Sequence, residues 1–472
     1  MTVENTLIRK TAVDIVDMLK NGDVTPHELL DALEQRISEV DGRVNALPTL
    51  CFDRARAHAD KLLKKPVDER GRLAGLPVPI KDLADVEGVR STQGSLIFEN
   101  TVPDVSDVLV SHLEAEGGIV YAKSNTPEFG AGANTFNEVF GPTLNPWNTA
   151  RSAAGSSGGA AVALATGTAW VAHGSDMGGS LRNPASFNNV CGMRPSPGRV
   201  ATTRGSKVDG NLGLEGPMAR NVEDLALLFD AMCGEEAGDP VSKTRPVTGF
   251  LEQARSGWKP ARVAFSRDLG ITPVDPEVAS IVEAAAHRFE DAGVIVEDAH
   301  PDLSEAHECF HVLRAISFAT GMKPLLEAHR DKLKPEVIWN IEQGLALTAD
   351  DVVRAEHQRA AMFQRGLEFF NTYDLLLCPA TIVPPYPVEN RYVEECNGTK
   401  FDNYIEWLGI VYAITNICAP ALSIPAGFTS EDLPVGIQIV GRPSCDGQVL
   451  AGGKLLQDIL GHHRRLPIDP RG

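Results

Sequence analysis

The sequence predicts an α/β protein whose large central sheet is mainly parallel or mixed and is covered by helices on both faces. Helical and strand patterns alternate along most of the chain, which is typical of this class. The strand segments are short apolar runs, as expected where both faces of a sheet are buried. No linker, low-complexity tract or internal repeat divides the 472 residues. A single domain over residues 1–472 is therefore expected.

The first clear element is an amphipathic helix over residues 25–40. It opens with TPHE, a capping box that has proline at the first helical position. The apolar residues Leu29, Leu33 and Ile37 then recur at helical spacing. These positions predict one face that packs against the rest of the domain.

Apolar runs and helical patterns alternate from there to the C-terminus. In chain order they are the run at 75–80, the helix at 108–115 with the run at 119–122, the helix at 222–233, the helix at 276–293 with the run at 294–297, the helix at 349–370 with the run at 375–378, and the run at 435–440 with a closing helix. The stretch 303–370 differs, because its pattern is almost entirely helical. We interpret it as an excursion over the sheet that forms one wall of a binding pocket.

The charge balance argues against a nucleic-acid partner. The chain carries 63 acidic and 44 basic residues, a net charge of −19, and the acidic residues are spread along it. Such a surface repels phosphate backbones and anionic lipid headgroups. We therefore expect a small-molecule partner, with no nucleic acid and no membrane.

The cysteines indicate a reducing environment. Eight cysteines are present without a CxxC pair or a dense framework, as expected for free thiols. The N-terminal segment lacks a signal-peptide pattern, and no apolar run reaches membrane-spanning length. The expected location is the cytoplasm. A homodimer is a common arrangement and stays open, because no sequence feature decides the oligomeric state.

Glycine and serine cluster in two runs, AGSSGG at 154–159 and GSDMGGSLRNPA at 174–185. Glycine permits close approach of the backbone, and consecutive amides can form a nest for an anion. Acyl transfer needs such donors, because negative charge develops on the former carbonyl oxygen. Ser180, at the end of the MGGS run, is therefore the candidate nucleophile.

Together with GLPVPIKD at 75–82, these two runs resemble the amidase signature family. Further blocks that look like this family are AKSNTPEF at 122–129, NPWN at 145–148 and NICAPALSIPAG at 416–427. The likeness spans nearly the whole chain, and the signature core is expected over residues 65–215.

The resemblance implies a triad of serine, serine and lysine. Ser180 is expected to form an acyl-enzyme, and Lys81 to act as the terminal base. Between them, Ser156 is expected to bridge, after a cis peptide bond that follows Gly155. Lys81 must be neutral to accept a proton, and its place after an apolar strand permits the burial that lowers a lysine pKa. No metal or organic cofactor is expected.

The resemblance also implies a set of supporting residues. An oxyanion hole is expected from the amides of Met177, Gly178, Gly179 and Ser180. Asp176 and Arg182 are expected to pair and hold this backbone, and Ser157 to form a hydrogen bond near Lys81. Ala154 departs from the family pattern, because glycine is common at its position.

The expected reaction is hydrolysis of a small, apolar aryl or alkyl amide. Esters, carbamates and hydrazides are open to the same chemistry. The candidate pocket residues are Phe129, the 309–316 helix including Ile316, Trp339, Ile382, Trp407 and Ile414, each of which could equally be ordinary core. Within the family, the alternative is a glutamine amidotransferase-type subunit, disfavoured by the evenly acidic surface. A catalytically silent binding protein is disfavoured because every proposed catalytic residue is present.

A nucleophile elbow and a catalytic histidine are two weaker hypotheses. GSSGG at 155–159 satisfies GxSxG of α/β-hydrolases and would make Ser157 the nucleophile, but the residues before it are a poor strand. His173 invites a Ser/His/Asp triad. Because the resemblance assigns the base role to Lys81, we expect His173 to be a structural hydrogen-bonding residue.

A zinc site is the third weaker hypothesis. His307 and His311 satisfy HExxH of zinc hydrolases. The extended motif fails at Arg314, and the nearest candidate for a third ligand is Glu327. We favour an ordinary helix here, with one face toward the pocket.

Overall fold

The computed structural model describes residues 6–203 and 211–472. Residues 204–210, part of the expected 65–215 core, and residues 1–5 lie outside the described residues. The helices are α1 Ala12–Asn21, α2 Pro26–Val40, α3 Phe52–Leu63, α4 Val108–Ala115, α5 Gly158–Thr166, α6 Arg182–Asn188, α7 Val222–Met232, α8 Phe250–Ala254, α9 Pro276–His287, α10 Ala306–His329, α11 Pro335–Ala346, α12 Ala349–Phe369, α13 Gly409–Asn416 and α14 Asp446–Leu460. The strands are β1 Thr49–Leu50, β2 Pro77–Lys81, β3 Ile119–Ser124, β4 Val171–Asp176, β5 Cys191–Arg194, β6 Leu214–Ala219, β7 Arg262–Phe265, β8 Ile295–Asp298, β9 Leu375–Pro379, β10 Glu395–Cys396, β11 Thr399–Lys400, β12 Ala421–Phe428 and β13 Pro434–Gly441.

One large mixed sheet runs through the described residues. Its eight strands have the order β4-β6-β5-β12-β13-β9-β7-β8. Neighbours from β4 to β9 are antiparallel, and the β9–β7 and β7–β8 pairs are parallel. The predicted α/β class with a mixed central sheet is confirmed. The expectation that the sheet is mainly parallel is corrected.

The physical reason for this correction is the burial of the central strands. Every residue of β13, and every residue of β12 except Phe428, is buried. Antiparallel strands that are covered on both faces carry the same continuous apolar runs as parallel strands. The runs therefore indicate burial, whereas direction depends on connections such as the short turn between β12 and β13.

Helices cover both faces of this sheet. Successive residues of a strand point to opposite faces, so Gly436 and Gly441 of β13 mark the two sides. A Cβ on Gly436 would meet Ser186 of α6, and one on Gly441 would meet Val449 of α14. Helix α6 therefore covers one face and α14 the other.

A smaller sheet positions the first functional residue. It has the order β1-β3-β2, in which β2 and β3 are parallel. All residues of β2 and β3 are buried. Lys81 is the last residue of β2, and β2 also packs against β4 of the large sheet.

The helical segments follow the sequence patterns closely. In α2, Thr25 and Glu28 form both hydrogen bonds of the capping box. Helices α10, α11 and α12 pack together over residues 306–369, and α10 also packs against α13. Among the described helices, none combines the length and the apolar character needed to cross a lipid bilayer.

We expect Gly436→Ala to destabilise the protein. A Cβ at this position would lie 2.8 Å from Cα of Ser186, so α6 must move away from β13. Overpacking of this kind costs about 1–3 kcal/mol. Thermal unfolding followed by circular dichroism should therefore show a lower midpoint.

Gly42→Ala is the matched control, because no atom lies within 4 Å of a Cβ built on Gly42. An equal loss of stability in the two variants would contradict the close packing of α6 on β13.

Candidate active site

Lys81 is buried at the centre of a group of serines. Its side chain is fully buried, and its Nζ lies 2.6 Å from Oγ of Ser156, 2.9 Å from Oγ of Ser157 and 3.0 Å from Oγ of Ser175. Hydroxyls can donate or accept a hydrogen bond. The three serines can therefore satisfy the amine in its charged form and in its neutral form.

Burial lowers the pKa of Lys81 from 10.5 to about 7, although the negative charges of Glu215 and Asp176 offset part of that fall. An isolated ammonium loses hydration in an apolar interior, and its neutral form is then favoured. Near neutral pH this amine is therefore able to accept a proton. The contact with Ser156 is the route by which a proton can reach it.

The loop that carries Ser156 is hydrogen-bonded to the loop that carries Ser180. The Gly155–Ser156 peptide is cis, as the resemblance implies. The N–H of Ser157 donates to the carbonyl of Ser180 at 3.1 Å. Ala154 has a φ of 56°, a left-handed conformation that glycine adopts more readily.

The turn between β4 and α6, where the nest is expected, is held by the carboxylate of Asp176. The N–H of Gly179 donates to Oδ1 of Asp176 at 2.9 Å, and the N–H of Leu181 donates to Oδ2 of Asp176 at 3.1 Å. The Gly179 amide is thus already used within the protein, because it holds the turn. Of the four amides expected to form the oxyanion hole, that of Gly179 therefore has a partner within the protein.

The predicted pairing of Asp176 with Arg182 is present and fully buried. Nε and Nη2 of Arg182 donate to the two carboxylate oxygens at 3.0 Å and 2.8 Å, and Arg194 lies 3.6 Å away. Burial alone would raise the pKa of Asp176, but the two guanidinium groups hold it well below its ordinary value. The carboxylate is therefore permanently charged and anchors the turn.

His173 lies on β4, the strand that ends at Asp176, and contacts the backbone of Lys81. The backbone N–H of Lys81 donates to its Nδ1 at 3.2 Å, so the ring proton lies on Nε2, which is 2.7 Å from Glu215. The histidine thus fixes the backbone of Lys81. Ser175 and Glu215 were not predicted from the sequence. Ser175 could have been found, because residues two apart on a strand share a face and His173 marks that face.

Two adjoining cavities lie beside this group. The larger, about 240 Å³, is lined by both Ser156 and Ser180, together with Phe129, Met177 and Phe318. The smaller, about 10 Å³, is lined by Gly178, Ser180, Phe310 and Tyr404 among others. Ser180 lies where the two cavities meet.

The structure places the expected pocket residues differently. Phe129 lines the larger cavity. Among the described residues that line the two cavities, the other five expected pocket residues are absent: Ile316, Trp339, Ile382, Trp407 and Ile414. Ile382, Trp407 and Ile414 belong to the hydrophobic core, Ile316 packs against that core, and Trp339 packs edge-on against Tyr404. Arg314, which in the sequence breaks the extended zinc motif, lines both cavities.

The contacts of the alternative motifs do not support their chemistry. Nδ1 of His307 contacts the hydroxyl of Tyr412, and its Nε2 lies 2.9 Å from the carbonyl of Ile271. Both ring nitrogens are thus engaged. Within 6–203 and 211–472, no group of three His, Cys, Asp or Glu side chains is arranged to hold a metal. A nucleophile elbow requires a strand directly before the nucleophile. Residues 153–157, which lead to Ser157, do not form one.

Comparison with known proteins gives a family match over most of the chain. The family model described as Amidase matches residues 28–450. An acylamidase from Rhodococcus erythropolis is 33% identical over 447 residues, covering 93% of this chain and 93% of its own. A glutamyl-tRNA(Gln) amidotransferase subunit from Moorella thermoacetica is 31% identical over 483 residues, covering 97% of this chain and 98% of its own.

A solved structure shares the whole architecture. The crystal structure of a bacterial aryl acylamidase belonging to the amidase signature enzymes is similar with a TM-score of 0.89 at 27% identity. The match covers 97% of this chain and 99% of that chain. The mixed sheet with its covering helices is therefore common to both proteins.

We expect Asp176→Asn to reduce stability strongly. The substitution keeps the shape of the side chain but removes the charge that Arg182 and Arg194 share. Breaking a buried ion pair in this way costs about 3–5 kcal/mol. The thermal midpoint should fall far below that of the unmodified protein.

Asp291→Asn is the control for this substitution, because Asp291 pairs with Arg288 on the exposed surface, where ion pairs contribute little. A loss of activity at an unchanged midpoint in Asp176→Asn would contradict the anchoring role.

Proposed function

We propose that this chain, which belongs to the amidase family and is a hydrolase acting on amides, cleaves a small linear amide. The proposed intermediate is an acyl-enzyme on Ser180. Ser156 and Lys81 act as the proton relay. The observation that carries this proposal is the 2.6 Å contact between Lys81 Nζ and Ser156 Oγ in a fully buried site. Both proposed serines line the same cavity.

The first half of the reaction forms the acyl-enzyme. Neutral Lys81 accepts a proton from Ser156 while Ser156 accepts the proton of Ser180, whose Oγ then attacks the carbonyl carbon. The carbonyl oxygen becomes negative and is stabilised by backbone amides of the nest, for which we propose Met177, Gly178 and Ser180. The C–N bond then breaks. The relayed proton returns through Ser156 to the departing nitrogen, which leaves as the free amine.

The second half uses water in place of the serine. Water attacks the acyl carbon while its proton passes through Ser156 to Lys81. The second tetrahedral intermediate collapses, Ser180 recovers its proton, and the carboxylic acid leaves. The protein supplies every group that this cycle requires, so we propose no metal or organic cofactor.

Part of the wall of the larger cavity is apolar, beside polar residues that include Thr202 and Thr203. Phe129, Met177 and Phe318 line it beside Ser180, and apolar walls favour aryl or alkyl groups. The acylamidase and aryl acylamidase relatives support the same substrate class. Esters have an easier leaving group, and we propose them as additional substrates, followed by carbamates and hydrazides.

The cysteines are free thiols, in keeping with the proposed cytoplasmic location.

The second candidate is an amidase subunit that releases ammonia from glutamine. The likeness to the Moorella thermoacetica amidotransferase subunit favours it. Such a subunit would hydrolyse glutamine preferentially and pass ammonia to a partner. Including glutamine in a substrate panel separates the two candidates.

We expect a fluorophosphonate to label Ser180 with one adduct per chain. Intact mass measures the stoichiometry, and peptide mapping locates the adduct. Ser180→Ala should abolish labelling, because the attacking oxygen is gone. Ser304→Ala, which alters an exposed serine, should label fully. An adduct on Ser157, or none, would overturn the proposed nucleophile.

We expect the labelling rate to rise with pH through about 7. The pKa of Lys81 is lowered to about 7, so the amine is charged and inactive below that pH and becomes a base above it. Well below this pH, the rate should fall about tenfold per pH unit. Stopped-time labelling across the range measures the profile.

Lys81→Met should abolish the rise of the labelling rate with pH. It should also lower the labelling rate itself by about 10²–10⁴-fold. Lys64→Met, at an exposed lysine, should retain the full profile. A flat profile in the unmodified protein would remove Lys81 from the base role.

A further inference from the structure

Arg314 brings a positive charge to the point where the two cavities meet. Its side chain comes from α10 and is only 7% exposed. Both cavities are lined, among the described residues, by Gly130, Ser180 and Arg314. A group bound at the proposed nucleophile therefore lies close to this guanidinium.

The hydrogen bonds of Arg314 orient its guanidinium. Nε donates to Oδ1 of Asn340 at 3.2 Å, and Nη2 donates to the hydroxyl of Tyr404 at 3.0 Å. Among the described residues, the hydrogen-bond partner of Nη1 is the thioether sulfur of Met177, at 3.2 Å. A thioether is a weak acceptor. The nitrogen next to the proposed nest therefore has spare donor capacity.

Arg314 also differs from the other buried arginines near the site. Arg182 and Arg194 share the carboxylate of Asp176. In the part of the chain that the structure describes, no carboxylate forms an ion pair with Arg314. A buried cation without a counter-ion is unfavourable. In the free protein the guanidinium lies over the rings of Phe318 and Tyr404, at 4.5 Å and 5.9 Å from their centroids, which offsets part of this cost. A carboxylate bound beside Ser180 would supply the missing counter-ion.

Neighbouring charges do not neutralise it. Lys334 adds a second buried cation, whose Nζ donates to the carbonyl of Ala131. Glu128 accepts hydrogen bonds from Ser95 and from the backbone of Lys334. Glu336 is held by Arg391. These carboxylates are therefore engaged elsewhere.

The two acidic residues described in the wall of the larger cavity, Asp176 and Glu215, are also committed. Asp176 pairs with Arg182 and Arg194. Glu215 accepts a hydrogen bond from His173 and does not line the smaller cavity among the described residues. The Arg314 side of the site thus remains positive.

Tyr404 offers a second donor at the same place. Its hydroxyl oxygen accepts hydrogen bonds from both Arg314 and Asn340. The hydroxyl proton therefore remains for a third group. Tyr404 and Arg314 both line the smaller cavity, so their donors can converge on one anionic oxygen.

We propose that Arg314, assisted by Tyr404, binds a carboxylate of the substrate, so that the preferred amide carries a negative charge a short distance from the scissile carbonyl. This inference rests on the proposed function, because the distance is set by attack at Ser180. A monoamide of a short dicarboxylic acid has the required chemistry. Its spacer contacts the apolar wall, while its carboxylate supplies the counter-ion that Arg314 lacks.

The test compares two anilides that differ in charge and match in shape. They are the 4-nitroanilide of succinic acid, which keeps one free carboxylate, and the 4-nitroanilide of 4-methylpentanoic acid, which is its neutral isostere. Release of 4-nitroaniline gives kcat/KM for each. Hydrogen bonds to a charged group favour the anion, and we expect a preference of about tenfold or more in the unmodified protein.

Variants then assign the preference to Arg314. Arg314→Met removes the charge and should lower the ratio of the two kcat/KM values by about tenfold or more. Arg314→Lys should retain part of the ratio, because it keeps the charge and loses the planar fork. Arg330→Met removes an exposed charge at the end of α10 and should keep the full ratio. Tyr404→Phe keeps the ring and should lower the ratio severalfold.

Protection against fluorophosphonate gives a second readout that needs no turnover. The succinyl anilide should slow labelling of Ser180 in the unmodified protein more than the neutral anilide does. This difference should vanish in Arg314→Met. Equal ratios and equal protection in the two proteins would overturn the carboxylate inference.

Failure of the proposed function gives a different result, because Ser180 would then remain unlabelled in the unmodified protein. If Ser180 is labelled and the neutral anilide is equal or better, the hydrolase proposal stands and the role of Arg314 is refuted.

Discussion

The buried ion pair between Asp176 and Arg182 is the interaction on which the site depends. Asp176 ends β4 and accepts the amides of the turn that follows, while Arg182 begins α6. Nη1 of Arg182 donates to the carbonyl of Val411 and to Gln438 of β13. One pair thus connects a strand, a turn, two helices and the central sheet. Such a pair stabilises a buried site because every charge and lone pair has a partner.

Two buried cations in the same region behave in opposite ways because their partners differ. The guanidinium of Arg182 forms an ion pair with the carboxylate of Asp176. The amine of Lys81 faces hydroxyl groups, so burial lowers its pKa to about 7. The fold produces this difference, since β2 ends among serines, whereas α6 begins beside Asp176 at the end of β4. The same fold therefore supplies a permanent anchor and a group that can exchange a proton.

The α/β class, the family resemblance and two of the neighbours of Lys81, Ser156 and Ser157, could be predicted from the sequence, because each depends on short contiguous runs. Ser175, the third serine in contact with Lys81, lies on a different strand and was not predicted. Strand direction was not accessible, since β12 and β13 are buried on both faces and carry the same apolar pattern as parallel strands. The residues that line the pocket could not be predicted from the sequence either. Ile382 and Ile414 are as apolar as a pocket wall, yet they face the core. The role of Gly179 depends on the direction of one amide, which composition does not reveal.

The surroundings of Lys81 also decide which reagents can modify it. Among the lysine side chains on a protein surface, those with a neutral amine ordinarily react fastest with acylating and carbamylating compounds. The amine of Lys81 has no contact with solvent, and the oxygens of Ser156, Ser157 and Ser175 surround it. Reagents dissolved in water therefore meet the serines first. Surveys of lysine reactivity would overlook the strongest base of this site, while probes for serine nucleophiles would report it indirectly.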